Sequence, residues 1–244
     1  GLGWIAGAVL AGAAGVVLTL VTRKMGGDYL AIVSLGFAEV LRLFATNEVW
    51  LTKGSDGISG IRAPYKLALG EAFGPAYLIL VWGIVLVAAW MLTRILRSPY
   101  GRALRAVRDD EQIAAVAGKA TIPLKLKTFF LGAAVSGLAG AIYAHLISYI
   151  APDGFVPLLT IYIFLAVTVG GYTRVKGVIL GSLVVVALLE GARFAALAFP
   201  GLNAVQVASL REMVIAITLI VVMQLRPQGL LRERNDLFLA GKTR

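Results

Sequence analysis

The stretch TFFLGAAVSGLAGAIYAHLISYIAP, residues 128–152, runs for twenty-five positions without a formally charged side chain. At about 1.5 Å per residue it is longer, as helix, than the ~20 residues needed to cross a hydrocarbon core. Small residues recur at every fourth position in it. Gly132, Ser136 and Gly140 form one ladder, and Ala133, Gly137 and Ala141 form another one position along. Lipid tails give helices no hydrophobic reason to associate, so close backbone approach through small side chains is a usual route to packing. The stretch therefore reads as a membrane-spanning helix with a partner, either in its own bundle or on another subunit.

Two more runs support this reading. Residues 2–21 hold twenty positions without a charge and residues 72–93 hold twenty-two. A buried helix in a soluble protein explains one such run, not several in 244 residues of which 59% are hydrophobic and 15% charged. Seven spans are expected, at 2–21, 28–48, 75–93, 128–150, 157–170, 178–198 and 210–226, the fifth short enough to be broken or tilted. Gly7, Ala11 and Gly15 repeat the small-residue spacing in the first span, and Gly177 with Gly181 begins another ladder. The fold class is an all-α integral membrane protein, a polytopic transmembrane helix bundle occupying residues 1–225, with a connector at 94–127 and a basic tail at 226–244. The sequence starts inside an apolar span with neither the basic start nor the cleavage site of a signal peptide, so further spans are expected before Gly1.

The distribution of charge sets an orientation. With the loop 94–127 cytoplasmic, alternation places 22–27, 171–177 and the tail on the same side, and these regions hold seventeen of the twenty-three Lys and Arg residues. The other side holds four: Lys53, Arg62, Lys66 and Arg211. Positive residues are retained in the cytoplasm, so this is the expected topology. It also explains the net charge of +10 without nucleic acid, since the basic residues are dispersed between apolar spans. The absence of cysteine excludes disulfides, thiolate metal sites and thiol nucleophiles. His145 is the only imidazole and has no second metal ligand beside it in sequence.

Four charges fall inside spans. Glu39 and Arg42 lie three apart in GFAEVLRLF, and Glu190 and Arg193 three apart in LLEGARF, so each pair shares a helix face and can neutralise itself locally. A single ionised side chain at mid-membrane costs roughly 2.5–3.5 kcal/mol on insertion scales. These residues should therefore avoid lipid, either by bracing neighbouring helices or by lining a solute path. The Gly-rich stretch TKGSDGISGIRAP, residues 52–64, reads as a turn-rich loop on the outer side, where Gly54, Gly57 and Gly60 suit positive φ and Asp56-Gly57 marks a turn. It is no phosphate cradle, because GxxxxGK followed by Ser or Thr does not occur in the chain. No metal triad and no Ser, His and Asp set points to a membrane enzyme either.

The connector contains SPYGRALRAVRDDEQIAAVAGK, residues 98–119. Ser98 followed by Pro99 predicts a helix start with the Ser hydroxyl as cap, nothing is expected to break the helix before Ala117, and Gly118 suits its end. On one continuous helix Ala103, Ala106, Val107, Asp110, Ile113, Ala114 and Ala117 share a face, with Arg102, Arg105, Asp109 and Gln112 on another. Such a shallow apolar face suits a protein groove rather than burial in lipid.

Five segments in order, GDYLAIVSLGFAEVLRL, GSDGISGI, SPYGRALRAVRDDEQIAAVAG, VGGYTRVKGVILGSL and RPQGLL, resemble the membrane permeases of branched-chain amino-acid ABC importers, the LivM type in particular. The resemblance covers about residues 26–232. It implies a transport subunit of the bacterial inner membrane that carries Leu, Ile, Val or a similar small solute. It implies a second homologous permease, two cytoplasmic ATPase subunits, a periplasmic solute-binding protein and surrounding membrane lipid as partners. ATP and Mg would be used by the ATPases, with no cofactor bound by this chain. By the same resemblance Arg102, Arg105, Arg108, Glu111 and Gly118 belong to the ATPase-coupling surface. Before Gly118 only Ala114 and the Gly match the Glu-Ala-Ala run of importer permeases, and Tyr172, Arg174 and Lys176 are larger or more basic than that pattern. Urea and short-amide permeases share much of it. A secondary transporter or channel, with Glu39 and Glu190 as ion sites, would not need a connector of this length.

Overall fold

The computed structural model describes residues 2–23, 25, 27–63, 66, 70–197, 204–225 and 229–230. Its helices are α1 (Leu2–Thr22), α2 (Gly27–Asn47), α3 (Val49–Thr52), α4 (Phe73–Arg97), α5 (Pro99–Asp109), α6 (Glu111–Val116), α7 (Thr121–Ile147), α8 (Pro157–Gly170), α9 (Val175–Leu197) and α10 (Ala204–Leu225). Two short strands, β1 (Ile58–Ser59) and β2 (Tyr149–Ile150), pair antiparallel with Ile58 opposite Ile150. Among the described residues six helices are long and apolar enough to cross a membrane. The remaining long helix, α9, has 23 residues, but its side chains from 192 onward lie outside the described residues. Each of the seven expected spans thus coincides with a helix. The basic tail at 226–244 lies outside the described residues apart from positions 229 and 230.

The boundaries differ from the hydropathy reading in one useful way. α4 runs on to Arg97 and α7 begins at Thr121, so the connector is 98–120 rather than 94–127. Charged residues at a helix end, such as Arg94, Arg97, Lys125 and Lys127, extend a helix beyond its apolar stretch without ending it. Hydropathy sees the lipid boundary, not the hydrogen-bond ladder.

The chain forms two compact units, Gly1–Val156 and Pro157–Arg244. In the first, α1 and α7 lie antiparallel with their backbones in close approach. A Cβ placed on Gly7 would stand 3.3 Å from the Ala141 Cβ, and one on Gly15 only 2.8 Å from the Ala133 Cβ and 3.0 Å from the Phe129 carbonyl oxygen. Between them a Cβ on Gly137 would run into the Ala11 Cβ and the Gly7 carbonyl. The ladder Gly7, Ala11, Gly15 thus interlocks with Ala141, Gly137, Ala133 in reversed order. Spacing of four on both helices keeps each contact in step with the helical turn. Gly132 and Gly140, of the other ladder, have open space where a Cβ would sit. The buried Thr19 and Thr22 hydroxyls donate to the carbonyls of Gly15 and Leu18, at 2.8 and 2.7 Å, so the seam holds no unpaired hydroxyl there. Buried Tyr77 of α4 donates to the Ile142 carbonyl of α7 at 2.7 Å.

The second unit is built on the α8–α9 hairpin. α8 is a single unbroken helix of 14 residues, and the chain turns after it through buried Gly170 and Gly171. Cβ atoms on Gly170, Gly177 or Gly181 would strike backbone of the facing helix. Leu165, Ala166 and Val169 of α8, Val185 of α9 and Ile215 of α10 form the core, with Tyr162, Leu189 and Val222 packed against it. The Leu230 amide donates to the Val169 carbonyl at 2.8 Å, and a side chain at Gly229 would collide with Gly171. Gly229 and Leu230, the described residues of the closing motif, thus lie at the end of α8, where the Leu230 amide satisfies a carbonyl the helix leaves free.

Gly137→Leu is expected to force α1 from α7, lowering stability by about 1–3 kcal/mol or more. Gly132→Leu, in open space on the same helix, is expected to leave it unchanged. Thermal unfolding of the two variants in one detergent distinguishes them, and equal melting would refute the assigned seam.

Candidate functional site

Two places concentrate polar chemistry in the first unit: the connector and the Gly-rich end. At the start of the connector the backbone turns so tightly that buried Gly101 sits against Leu96, where a Cβ would overlap the Leu96 backbone. Pro99 occupies the first helical turn as expected, but the Ser98 hydroxyl does not cap α5. It donates backwards to the Ile95 carbonyl at 2.6 Å, which also accepts the Ser98 amide at 3.1 Å. Arg105 serves that end as well, donating from its Nη1 to the Leu96 carbonyl at 3.1 Å. Tyr100 ties α5 to α7, donating to the Leu124 carbonyl at 3.2 Å with its hydroxyl 2.8 Å from that of Thr128.

The expected single helix from Ser98 to Ala117 is broken. Asp110 is extended, at φ −159° and ψ 115°, and its Oδ1 accepts from the Ile113 amide at 2.9 Å to cap α6. An aspartate that bonds an amide three residues ahead competes with the continuous helix, and here the cap wins. The expected face, apolar at six of its seven positions, does not survive the break. Ala114 is buried, whereas Ala106, Ile113 and Ala117 are exposed. Ile113 is 68% exposed and Val116 91%. Gly118 ends α6 at φ 76°, with Gly118 and Lys119 amides donating to the Ala115 and Ala114 carbonyls, the paired bonds of a Schellman turn.

The candidate coupling residues therefore divide. Arg102 is exposed on α5. Arg105 holds the end of α4, Arg108 pairs with Asp109 at 3.0 Å, and Glu111 receives Lys125 at 2.6 Å. The Glu111–Lys125 pair latches α6 to α7. The sequence reading passed over the latch, the Asp110 cap and the exposure of Val116. Asp110 followed by Glu111 in the first turn of α6 suits a helix start, but an aspartate is equally compatible with the surface of a continuing helix, so no local signal separates the two.

At the other end the Glu39 carboxylate and the Arg42 guanidinium form two charge-assisted bonds, from Nε to Oε2 at 3.0 Å and from Nη2 to Oε1 at 2.5 Å. Arg42 also lies 3.8 Å from Asp153, a residue to which the sequence reading gave no role. Asp153 sits in the 3₁₀ turn Pro152–Gly154 just after β2. The Gly-rich loop is folded against this turn through the β1–β2 pair. Gly57 has φ 68°, and a Cβ there would collide with Ile150 and Ala151, so only glycine passes at the crossing. Gly54 and Gly60 also have positive φ, and the Asp56 carbonyl accepts from the Tyr149 hydroxyl at 3.1 Å. His145 lies on α7 near this end, its Nδ1 2.6 Å from the Ala141 carbonyl and 3.3 Å from the Trp4 indole nitrogen. Glu190 is exposed on α9, and the side chain of Arg193 lies outside the described residues.

The sequence profile of the family described as "Branched-chain amino acid transport system / permease component" matches residues 2–223. The chain belongs to that family. It is a multi-pass protein of the cytoplasmic membrane, as the family and the six apolar helices require. It is 30% identical over 206 residues to the high-affinity branched-chain amino acid transport system permease protein LivM of Escherichia coli K12, covering 75% of this chain and 48% of that one. The probable LivM permease of Methanocaldococcus jannaschii is 29% identical over 239 residues, 94% of this chain and 67% of that one. The LivH permease of Escherichia coli K12 is 27% identical over 190 residues, 75% of this chain and 61% of its own. The chain thus spans about half the length of the bacterial LivM relatives it matches. No solved structure gives a significant match.

Asp110→Ala is expected to cost α6 about 1 kcal/mol, the usual worth of a cap. Amide exchange of residues 111–117 should quicken about five-fold, with no change in the melting of the spans. Unchanged exchange there would show that the cap is not what ends α5.

Proposed function

We propose that this chain is the permease subunit of an ATP-driven importer that takes branched-chain amino acids, or similarly small zwitterionic solutes, into the cytoplasm. The observation that carries this reading is the family match together with an exposed connector between two membrane helices. The matched relatives are named for branched-chain amino acid transport, which favours Leu, Ile or Val as solute. In this reading the connector and the α8–α9 turn face the cytoplasm, in line with the excess of Lys and Arg on that side. Two ATPase subunits bind ATP and Mg there, a second homologous permease completes the pathway, and a periplasmic binding protein delivers solute at the Gly-rich end.

The chemistry of the connector suits a docking element. Ile113 and Val116 project apolar surface and Arg102 a charge, while Arg105, Glu111 with Lys125, and the Gly118 turn hold the backbone that carries them. A rigid knuckle transmits a push from the ATPases to α4 and α7, whereas a loose loop would absorb it. At the Gly-rich end Glu39, Arg42 and Asp153 supply both signs of charge, as a zwitterion requires.

Arg102→Glu combined with Val116→Glu is expected to abolish copurification of the ATPase subunits without preventing membrane insertion. Normal copurification would sink the docking assignment. Glu39→Gln is expected to reduce leucine uptake about ten-fold, the scale of one lost charge-assisted bond. Undiminished uptake with lowered thermal stability would make the Glu39–Arg42 pair a brace instead.

A further inference from the structure

An apolar crevice of about 530 Å³ opens in the first unit beside the connector. Val16 of α1, Ile95 of α4 and Leu126, Phe130 and Leu131 of α7 form its walls. Ser98 and Tyr100 also line it, yet both hydroxyls are turned to protein, Ser98 to the Ile95 carbonyl and Tyr100 to Leu124 and Thr128. The crevice therefore presents hydrocarbon almost throughout. Lys127 lines it too and is exposed, with no ion-pair partner among the described residues. Its aliphatic stem can follow the wall while the ammonium stays at the surface.

Depth in the membrane can be read from the helices. α7 has 27 residues, about 40 Å of helix, and so exceeds a hydrocarbon core of roughly 30 Å by several residues. Lys127 stands six residues into α7. On α4, the Arg94 guanidinium lies over the Trp90 ring at 5.2 Å, and aromatic and basic residues of this kind gather at headgroup level. Arg97 is exposed one residue before Ser98. The crevice thus runs from a basic rim into the apolar layer.

We propose that this crevice is a binding site for one anionic phospholipid, with an acyl chain between α1, α4 and α7 and the headgroup phosphate on Lys127. Charge selects this occupant. Another permease subunit would present its own basic cytoplasmic rim at the same depth, so like charges would meet, whereas an anionic headgroup complements the rim and its chain fits the apolar walls. The lipid would fill the crevice beside the connector corner, against Ile95, Ser98 and Tyr100.

The test uses the whole protein in vesicles of neutral phosphatidylcholine doped with phosphatidylglycerol carrying a diazirine in its acyl chain. Labelling is expected to concentrate on peptides containing residues 95–100 and 126–131. The same diazirine on phosphatidylcholine should label them about five-fold less, and Lys127→Gln should lower phosphatidylglycerol labelling by a similar factor. Leu131→Trp, which fills the crevice, should remove the label while other lipid-facing peptides keep theirs. Label spread evenly over the helices, equal labelling by the two lipids, or no response to either variant would overturn the site. So would a photoreactive phenylalanine at Leu131 that captures a protein chain in native membranes instead of a lipid.

Discussion

Helices in a bilayer leave one apolar surface only to meet another, so their packing depends on how closely backbones can approach. The contact of α1 with α7 is the point where the first unit meets that condition. Gly7, Ala11 and Gly15 lie against Ala141, Gly137 and Ala133, and no larger side chain fits at the centre of the seam. α7 also accepts the Tyr77 hydroxyl, and it carries the partners of both connector latches, Lys125 for Glu111 and Leu124 with Thr128 for Tyr100. Displacing α7 would shift the connector, the apolar crevice and β2 together.

The second unit uses the same solution with different residues. Gly170, Gly177 and Gly181 bring α8 against α9, and Gly229 lays the chain beyond α10 over their turn. A short helix such as α8, with 14 residues, has few side chains with which to hold a position. Backbone contact and the Leu230 amide on the Val169 carbonyl add to the burial of Leu165, Ala166 and Val169.

Polar groups at both ends of the first unit follow a common rule, that each is used first to satisfy nearby backbone or charge. Arg105 and Ser98 answer carbonyls at the end of α4, Asp110 answers an amide at the start of α6, and Arg42 joins Glu39 to Asp153. What remains facing outward is a smaller set than the charged residues of the sequence suggest. At the connector it includes Arg102, Ile113 and Val116, a mixed surface of the kind that protein partners use.

The sequence by itself determined the class of this protein, the existence of its spans and the Glu39–Arg42 pair, because apolar run length and i, i+3 spacing are local properties that lipid and helix geometry read directly. It also marked Gly118 as a helix end and the small-residue ladders as packing faces. It did not reveal that the connector helix breaks at Asp110, since an aspartate is compatible with a helix surface and only the balance of cap against continuation decides. Nor did it tell which ladder on α7 would be filled, or that Asp153 would reach Arg42 across more than a hundred residues of chain. Those choices belong to the tertiary structure, because two faces with equal spacing are chemically alike until a partner backbone approaches one of them.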